Sequence, residues 1–401
     1  MIDVLAFILK YKFILIFYLI VILFVAYNWK RIERQAKIIF LFRTKLGLKW
    51  MDKYSQKFRE WVILFGYIGM GTGFVGLVVI SYVLVSNLYS LITKPEAVSG
   101  VSLVLPGVHV PGLGVLPFWY WILAIFAIAV VHEFSHGIVA RAHNIPVKNT
   151  GLVFFGPILG AFVEPDEKKL RKEQDIVQYS VLAAGSFSNI VLAVVALLFL
   201  NFAFMPLQET MVTPSGFSFD SYVNENLPAA EAGIEPGTII TGINNQKVSN
   251  FQEFSDELAF FRPGESIVVN TAEKDYTITL AKNPDNEKKP FLGVLNIQNE
   301  FEIKESYQHG VGKALFVFLE WFTGKESGRA GFLGWLFLLS IGIGLFNLLP
   351  LPIVDGGRMA QVFLHKLKGP EKGERLYHKV SLFFLLVLLL NLFYPMLVKL
   401  F

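Results

Sequence analysis

The feature that most constrains this sequence is a set of apolar stretches long enough to cross a lipid bilayer. A helix that spans a bilayer takes about 20 predominantly apolar residues. With 54% of its 401 residues hydrophobic and 17% charged, the chain has more apolar surface than a soluble domain can bury. We therefore predict a polytopic α-helical membrane protein with about six transmembrane helices: Phe13–Trp29, Trp61–Ile92, Leu116–Ala140, Val177–Phe204, Gly331–Leu349 and Val380–Leu400.

Composition excludes several classes of function. The chain has no cysteine, which removes thiolate catalysis, cysteine-ligated metal sites and a disulfide scaffold. Its formal net charge of +4 is small, so no nucleic-acid partner is expected. An aromatic content of 15% is too high for a disordered chain.

The distribution of lysine and arginine predicts how the chain is oriented. Segments 30–60, 168–172 and 366–379 are basic, and with six spans all three lie on one side of the membrane. The positive-inside rule assigns that side to the cytoplasm. The acid-rich segment 206–330 then lies outside the cytoplasm. The first apolar stretch lacks a small-residue cleavage site, so we interpret it as a retained anchor in a multi-pass protein of the cell membrane.

The third stretch contains the motif His132-Glu133-Phe134-Ser135-His136. On a helix, positions i and i+4 share a face about 6 Å apart, which suits two imidazoles that bind one Zn²⁺. The glutamate then lies beside the metal, where it can take a proton from a zinc-bound water. Ionisable groups within a membrane helix are costly and usually functional. The alternative is that the motif lies at the helix end, solvated by the cytoplasm.

A catalytic zinc of this kind needs a third protein ligand. His143 has the wrong spacing, because the extended metzincin motif requires a histidine at the position of Ala142. We expect His143 at the helix end or facing solvent. The remaining histidines are isolated in loops or at helix ends, and no metal role is expected for them: His109, His309, His365 and His378.

A better candidate lies in segment 347–358, which reads NLLPLPIVDGGR. Its two prolines break the fifth stretch, and its two glycines loosen the backbone that follows. Asp355 can therefore turn toward the membrane interior. In the predicted topology the third and fifth stretches cross in the same direction. His132 and Asp355 both fall near the cytoplasmic ends, which puts them at one depth.

A membrane-embedded HExxH motif, a later NLLP…DGG motif and a soluble segment between them resemble the site-2 protease family of intramembrane zinc metalloproteases. The resemblance covers residues from about 115 to 360. It implies one zinc ion per chain with His132, His136 and Asp355 as ligands. It also implies Glu133 as the catalytic base.

By the same resemblance, Asn347 and Asn189 bind substrate or stabilise the oxyanion. The family usually has Gly-Pro where this chain has Gly185-Ser186, a departure that weakens the assignment of Asn189. The alternative for Asn189 is a packing hydrogen bond between helices.

Two further segments resemble parts of the same family. Thr150–Glu164 is apolar and glycine-punctuated, and it resembles a membrane-associated β-hairpin that pairs with an unwound substrate by strand addition. Segment 226–240, NLPAAEAGIEPGTII, resembles a PDZ domain, and an amphipathic helix is predicted at Phe251–Phe260. Such a domain could bind a peptide or a C-terminus, or act as a size filter; an unrelated small β-rich domain is the alternative.

We therefore predict four regions: membrane helices and a basic cytoplasmic loop in 1–114, the first part of a catalytic membrane core in 115–205, an extracytoplasmic α+β PDZ-like domain in 206–310, and the rest of the core in 311–401. The predicted function is hydrolysis of peptide bonds within transmembrane helices of protein substrates, near the cytoplasmic side of the bilayer. The alternatives are an HExxH membrane peptidase that cuts soluble tails and a non-enzymatic PDZ-bearing scaffold.

Overall fold

The computed structural model describes residues 4–35, 39–94, 100–101, 105–107, 109–110, 114–155, 158–284, 286–324 and 330–398. The chain divides into two compact units. The membrane unit comprises Met1–Leu198 and Phe332–Phe401, and the inserted unit comprises Phe199–Gly331. The turn of the predicted hairpin, 156–157, and the end of the last predicted span, 399–400, lie outside the described residues.

The elements of the first half follow one another along the chain as α1 Val4–Tyr27, β1 Ile32–Gln35, β2 Ile39–Thr44, α2 Leu48–Lys57, α3 Arg59–Thr93, β3 His109–Val110, β4 Gly114–Val115, α4 Phe118–Ala142, β5 Val147–Phe155, β6 Ile158–Pro165, α5 Glu167–Leu170 and α6 Asp175–Phe199. The second half begins with a π-helical turn, Leu200–Phe204. It continues as α7 Met205–Glu209, β7 Val212–Tyr222, α8 Pro228–Glu231, β8 Ile240–Ile243, β9 Gln246–Lys247, α9 Phe251–Leu258, β10 Ser266–Thr271, β11 Asp275–Thr279, β12 Ala281–Asn283, β13 Asn286–Phe291, β14 Val294–Ile303, α10 Gly310–Thr323, α11 Phe332–Phe346, α12 Asp355–Lys368 and α13 Pro370–Val398.

Within the described residues, four helices are long and apolar enough to cross a membrane: Arg59–Thr93, Phe118–Ala142, Asp175–Glu209 and Pro370–Tyr394. They support the predicted class of polytopic helical membrane protein. Two further apolar helices, Tyr11–Tyr27 and Phe332–Phe346, are shorter. The first and fifth predicted spans correspond to these two, so the count of six spans stays a prediction.

The membrane unit contains a four-stranded antiparallel sheet with the order β1-β2-β5-β6. The β5–β6 hairpin covers the predicted segment Thr150–Glu164, and its membrane association stays a prediction. The hairpin of β1 and β2 lies in the segment predicted only as a basic cytoplasmic loop. These strands are short, and β2 pairs with β5 across more than 100 residues of chain, as in Thr44↔Thr150.

A row of glycines on α3 lets other elements approach its backbone closely. A Cβ at Gly66 would lie 2.2 Å from Ser180 Oγ of α6, and one at Gly76 would lie 2.4 Å from Leu348 Cδ1. A side chain at either position would displace the Ser180 or the Leu348 side chain. The glycines therefore allow α3 to pack directly against α6 and against the segment that precedes Asp355.

The inserted unit has a sheet with the order β11-β10-β8-β7-β14, and β9 pairs with β8. Helix α9 packs on this sheet, and it begins at the predicted residue, Phe251. Asn250 caps the helix by accepting a hydrogen bond from the Glu253 N–H. Fully buried apolar side chains form the core of the unit, among them Phe217, Phe219, Ile240, Phe254 and Val269.

Candidate metal centre

Two histidines of α4 and the first residue of α12 bring three potential ligand atoms together. His132 Nε2 lies 3.1 Å from Asp355 Oδ2, His136 Nε2 lies 3.2 Å from the same oxygen, and the two nitrogens lie 3.2 Å apart. In a tetrahedral zinc site with bonds of 2.0–2.1 Å, ligand atoms are separated by about 3.3 Å. The triangle therefore has the size that a zinc ion requires.

The orientation of the His136 ring also suits a metal. Its Nδ1 lies 2.6 Å from the carbonyl oxygen of Val181, an acceptor, so Nδ1 carries the proton and donates it there. The lone pair of Nε2 then faces Asp355. The Oδ2 atom of Asp355 is buried and makes no hydrogen bond of ordinary geometry within the described part of the chain. A metal cation between this carboxylate oxygen and the imidazole lone pair would satisfy both atoms.

Gly185 of α6 borders the same space. A Cβ at this position would lie 2.4 Å from His136 Nε2 and 2.6 Å from His132 Nε2. Any side chain here would press on both ring nitrogens. At this position of α6, glycine is the residue type that leaves room beside the three ligand atoms. In the sequence, Gly185 was identified only as part of a departure from the family pattern, although a glycine amid the small residues of Ala183-Ala184-Gly185-Ser186 indicates close packing.

Glu133 is oriented by the sheet rather than by solvent. Its Oε2 accepts a hydrogen bond of 3.0 Å from the Val163 N–H of β6. Since N–H groups alternate between the two edges of a strand, the N–H groups of Leu159, Ala161 and Val163 point away from β5. Strand β6 ends the sheet order. The glutamate therefore lies at the open edge of the sheet.

The segment that carries Asp355 follows the end of α11, which stops before the two prolines that were predicted to break it. Helix α11 ends at Phe346, and the chain returns so that the Asn347 carbonyl accepts a 2.7 Å hydrogen bond from the Gly356 N–H. A Cβ at Gly357 would overlap the Leu351 carbonyl oxygen, so this close return requires glycine. The partly exposed Asn347 lies on the loop that leads to Asp355.

Asn189 is fully buried in α6, and its Nδ2 lies 3.0 Å from Nδ1 of His132. The structure therefore brings Asn189 against a predicted metal ligand. The carbonyl oxygen of Asn189 accepts a 2.8 Å hydrogen bond from the Ser340 hydroxyl, which also joins α6 to α11. The alternative prediction for Asn189 was a buried amide with a packing hydrogen bond between helices. Both features are observed at this residue.

The other histidines lie apart from this group. His143 follows the last residue of α4, as predicted, and its Nε2 is 3.3 Å from Ser180 Oγ. Burial lowers the pKa of His143. The Nε2 atoms of His365 and His378 lie against Glu374, at 2.6 and 3.1 Å. Within the ranges that the structure describes, His132, His136 and Asp355 form the group of side chains arranged to hold a metal.

Comparison with known proteins places both motifs in one family. Residues 120–388 match the peptidase family M50. An uncharacterized protein of Methanocaldococcus jannaschii is 25% identical over 346 residues, which are 85% of this chain and 81% of that protein. The zinc metalloprotease RasP of Oceanobacillus iheyensis is 27% identical over 249 residues, 52% of this chain and 57% of its own length. Among solved structures, the PDZ domain of an SdrC-like protein of Listeria innocua is 27% identical, covering 20% of this chain and 91% of that chain, with a TM-score of 0.18.

Proposed function

This chain belongs to the peptidase family M50, the site-2 protease family that its motifs resemble, and we propose that it is an intramembrane zinc endopeptidase. One observation carries the proposal. The imidazoles of His132 and His136 lie on Phe118–Ala142, a helix apolar and long enough to span a bilayer, and Asp355 closes the ligand triangle. Because two of these ligands lie on a helix of spanning length, we take the substrates to be transmembrane segments.

Each residue of this site has a separate role in peptide hydrolysis. His132, His136 and Asp355 would hold the zinc, which when bound would supply Lewis-acid polarisation of the scissile carbonyl and of water. Glu133 takes a proton from the attacking water as the oxygen bonds to the carbonyl carbon. When the C–N bond breaks, Glu133 delivers that proton to the leaving nitrogen. The Asn347 amide donates a hydrogen bond to the oxyanion.

Strand β6 supports a mode of substrate binding. A helix hides its carbonyl groups in its own hydrogen bonds, so a transmembrane substrate must unwind before water can attack. An unwound segment satisfies its backbone groups by pairing with a strand edge. Glu133 contacts this edge through Val163, which puts the base beside the segment to be cut.

The sidedness and the partners follow from the same scheme. We place the metal centre near the cytoplasmic face of the cell membrane, because the basic segments 30–60, 168–172 and 366–379 share one side in the six-span topology. The PDZ-like segment of the inserted unit then lies on the opposite side. Its partner is a peptide or a protein C-terminus of a membrane protein.

Zinc removal tests the function directly. We expect purified protein in proteoliposomes to cut a single-span substrate within the apolar segment, to lose activity after treatment with a chelator, and to regain it with zinc. Mass spectrometry of the products locates the cut. Cleavage confined to a soluble tail, with the apolar segment intact, would contradict the proposal and favour the alternative HExxH peptidase.

A proline at the open edge tests strand addition. Ala161→Pro removes an outward N–H, and an edge strand accepts proline where no ladder hydrogen bond is lost. One hydrogen bond contributes about 0.5–1.5 kcal/mol, so we expect kcat/KM to fall roughly twofold to tenfold. Zinc content should stay unchanged.

Ala161→Val is the matched control, because valine keeps the N–H and favours a strand. Equal kcat/KM in the proline and valine variants would show that no substrate hydrogen bond forms at this position.

A further inference from the structure

The side chain of Asn189 contacts a metal ligand with one of its two polar atoms. Its Nδ2 lies 3.0 Å from His132 Nδ1, and its Oδ1 is buried without a hydrogen bond within the described residues. Helix α11 packs closely against the same residue, since a Cβ at Gly344 would lie only 3.1 Å from Asn189 Cβ. The amide is therefore fixed in place between α4 and α11, and a rotation of its terminal group is the movement left to it.

The direction of the amide decides where His132 carries its proton. When Nδ2 donates to Nδ1, the ring proton must be on Nε2, which lies 3.1 Å from Asp355 Oδ2. A metal on Nε2 needs the lone pair there, and so the proton must be on Nδ1. A half-turn of the Asn189 amide brings its Oδ1 to His132 Nδ1. In that position Oδ1 accepts a hydrogen bond from the protonated Nδ1. The same half-turn gives the unpaired Oδ1 a partner.

We propose that Asn189 is a positioning residue, which holds His132 with Nδ1 protonated and Nε2 facing the metal, rather than a residue that contacts substrate. The inference rests on the proposed zinc site. His136 obtains the same support from the Val181 carbonyl, which no substitution of a side chain removes. The two histidines thus have different orienting groups, and that of His132 is a side chain.

Two variants separate the effect of a hydrogen-bond acceptor at position 189 from the effect of side-chain volume. Asn189→Leu keeps nearly the same shape and cannot hydrogen-bond, whereas Asn189→Asp keeps an acceptor for the Nδ1 proton. Loss of such an orienting group typically costs 10- to 100-fold in metal affinity. We expect the zinc dissociation constant, measured by chelator competition, to rise by about that factor in Asn189→Leu and to stay close to wild type in Asn189→Asp.

A second measurement uses the unmutated protein. The ¹⁵N chemical shifts of His132 in the zinc-loaded protein should report a protonated Nδ1. Ser340→Ala serves as the packing control, because it removes the hydrogen bond to the Asn189 backbone and leaves the amide group in place. Its zinc affinity should match wild type.

Three outcomes would overturn the inference: an unprotonated Nδ1 in zinc-loaded wild type, an unchanged zinc affinity in Asn189→Leu with a raised KM, or equal losses of zinc affinity in the leucine and aspartate variants. A wild-type protein that binds no zinc would instead contradict the proposed function itself. The two failures are therefore distinguishable.

Discussion

Glu133→Gln is expected to abolish measurable cleavage while the zinc content stays at the wild-type level. Glutamine keeps the shape of the side chain, and its oxygen can still accept the Val163 N–H hydrogen bond. It cannot take a proton from water. General acid–base catalysis contributes about 10²- to 10⁴-fold, so we expect kcat to fall by at least that factor. The measurement pairs single-turnover cleavage of a transmembrane substrate with metal analysis of the same preparation.

The matched control for this variant is Glu60→Gln, which makes the same chemical change at an exposed residue in the first turn of α3. Its cleavage rate and zinc content should equal wild type. Retained cleavage in Glu133→Gln would remove Glu133 from the mechanism, and loss of zinc together with cleavage would indicate a structural role at the metal centre.

The parts of the site that the sequence predicted are those set by local spacing. His132 and His136 share a face because they are four residues apart, and the end of α11 at Phe346 follows from the prolines just beyond it. Asp355 was chosen as a candidate ligand because prolines break the fifth stretch and because the topology puts it at the depth of His132, and the family resemblance implied the full ligand set; the 3.1–3.2 Å distances support it. Apolar length likewise identified the four long helices.

Other features depend on partners that are distant in sequence. The β1–β2 hairpin is stabilised by β5, which begins more than 100 residues after β2 ends, so the basic segment gave little indication of a sheet. Gly185 and Asn189 lie in an apolar helix whose sequence does not specify which of its faces meets α4. Their contacts with His132 and His136 became apparent only when the two helices were packed together.

The space beside Gly185 leads to the second large effect, which is loss of the metal from Gly185→Ala. The added Cβ would lie 2.4 and 2.6 Å from the two Nε2 atoms, well inside van der Waals contact. If the histidines move apart, the ligand triangle is lost. If α6 moves away, the Val181 carbonyl and the Asn189 amide no longer orient His136 and His132 toward the metal. We expect zinc content measured by mass spectrometry to fall from one ion per chain to background, and cleavage to fall with it.

Helix propensity argues in the opposite direction, which makes this result diagnostic. Alanine is favoured over glycine by about 1 kcal/mol in a helix, so a weaker helix cannot explain the loss of zinc. Gly342→Ala makes the same substitution in α11 at a position with nothing within 4 Å of the added Cβ, and it should keep both zinc and activity. If Gly185→Ala bound zinc as tightly as Gly342→Ala, the ion could not lie among His132, His136 and Asp355 as they are arranged here. Because the test compares two alanines that differ only in what their Cβ atoms meet, it examines the geometry of the site independently of the chemistry of its ligands.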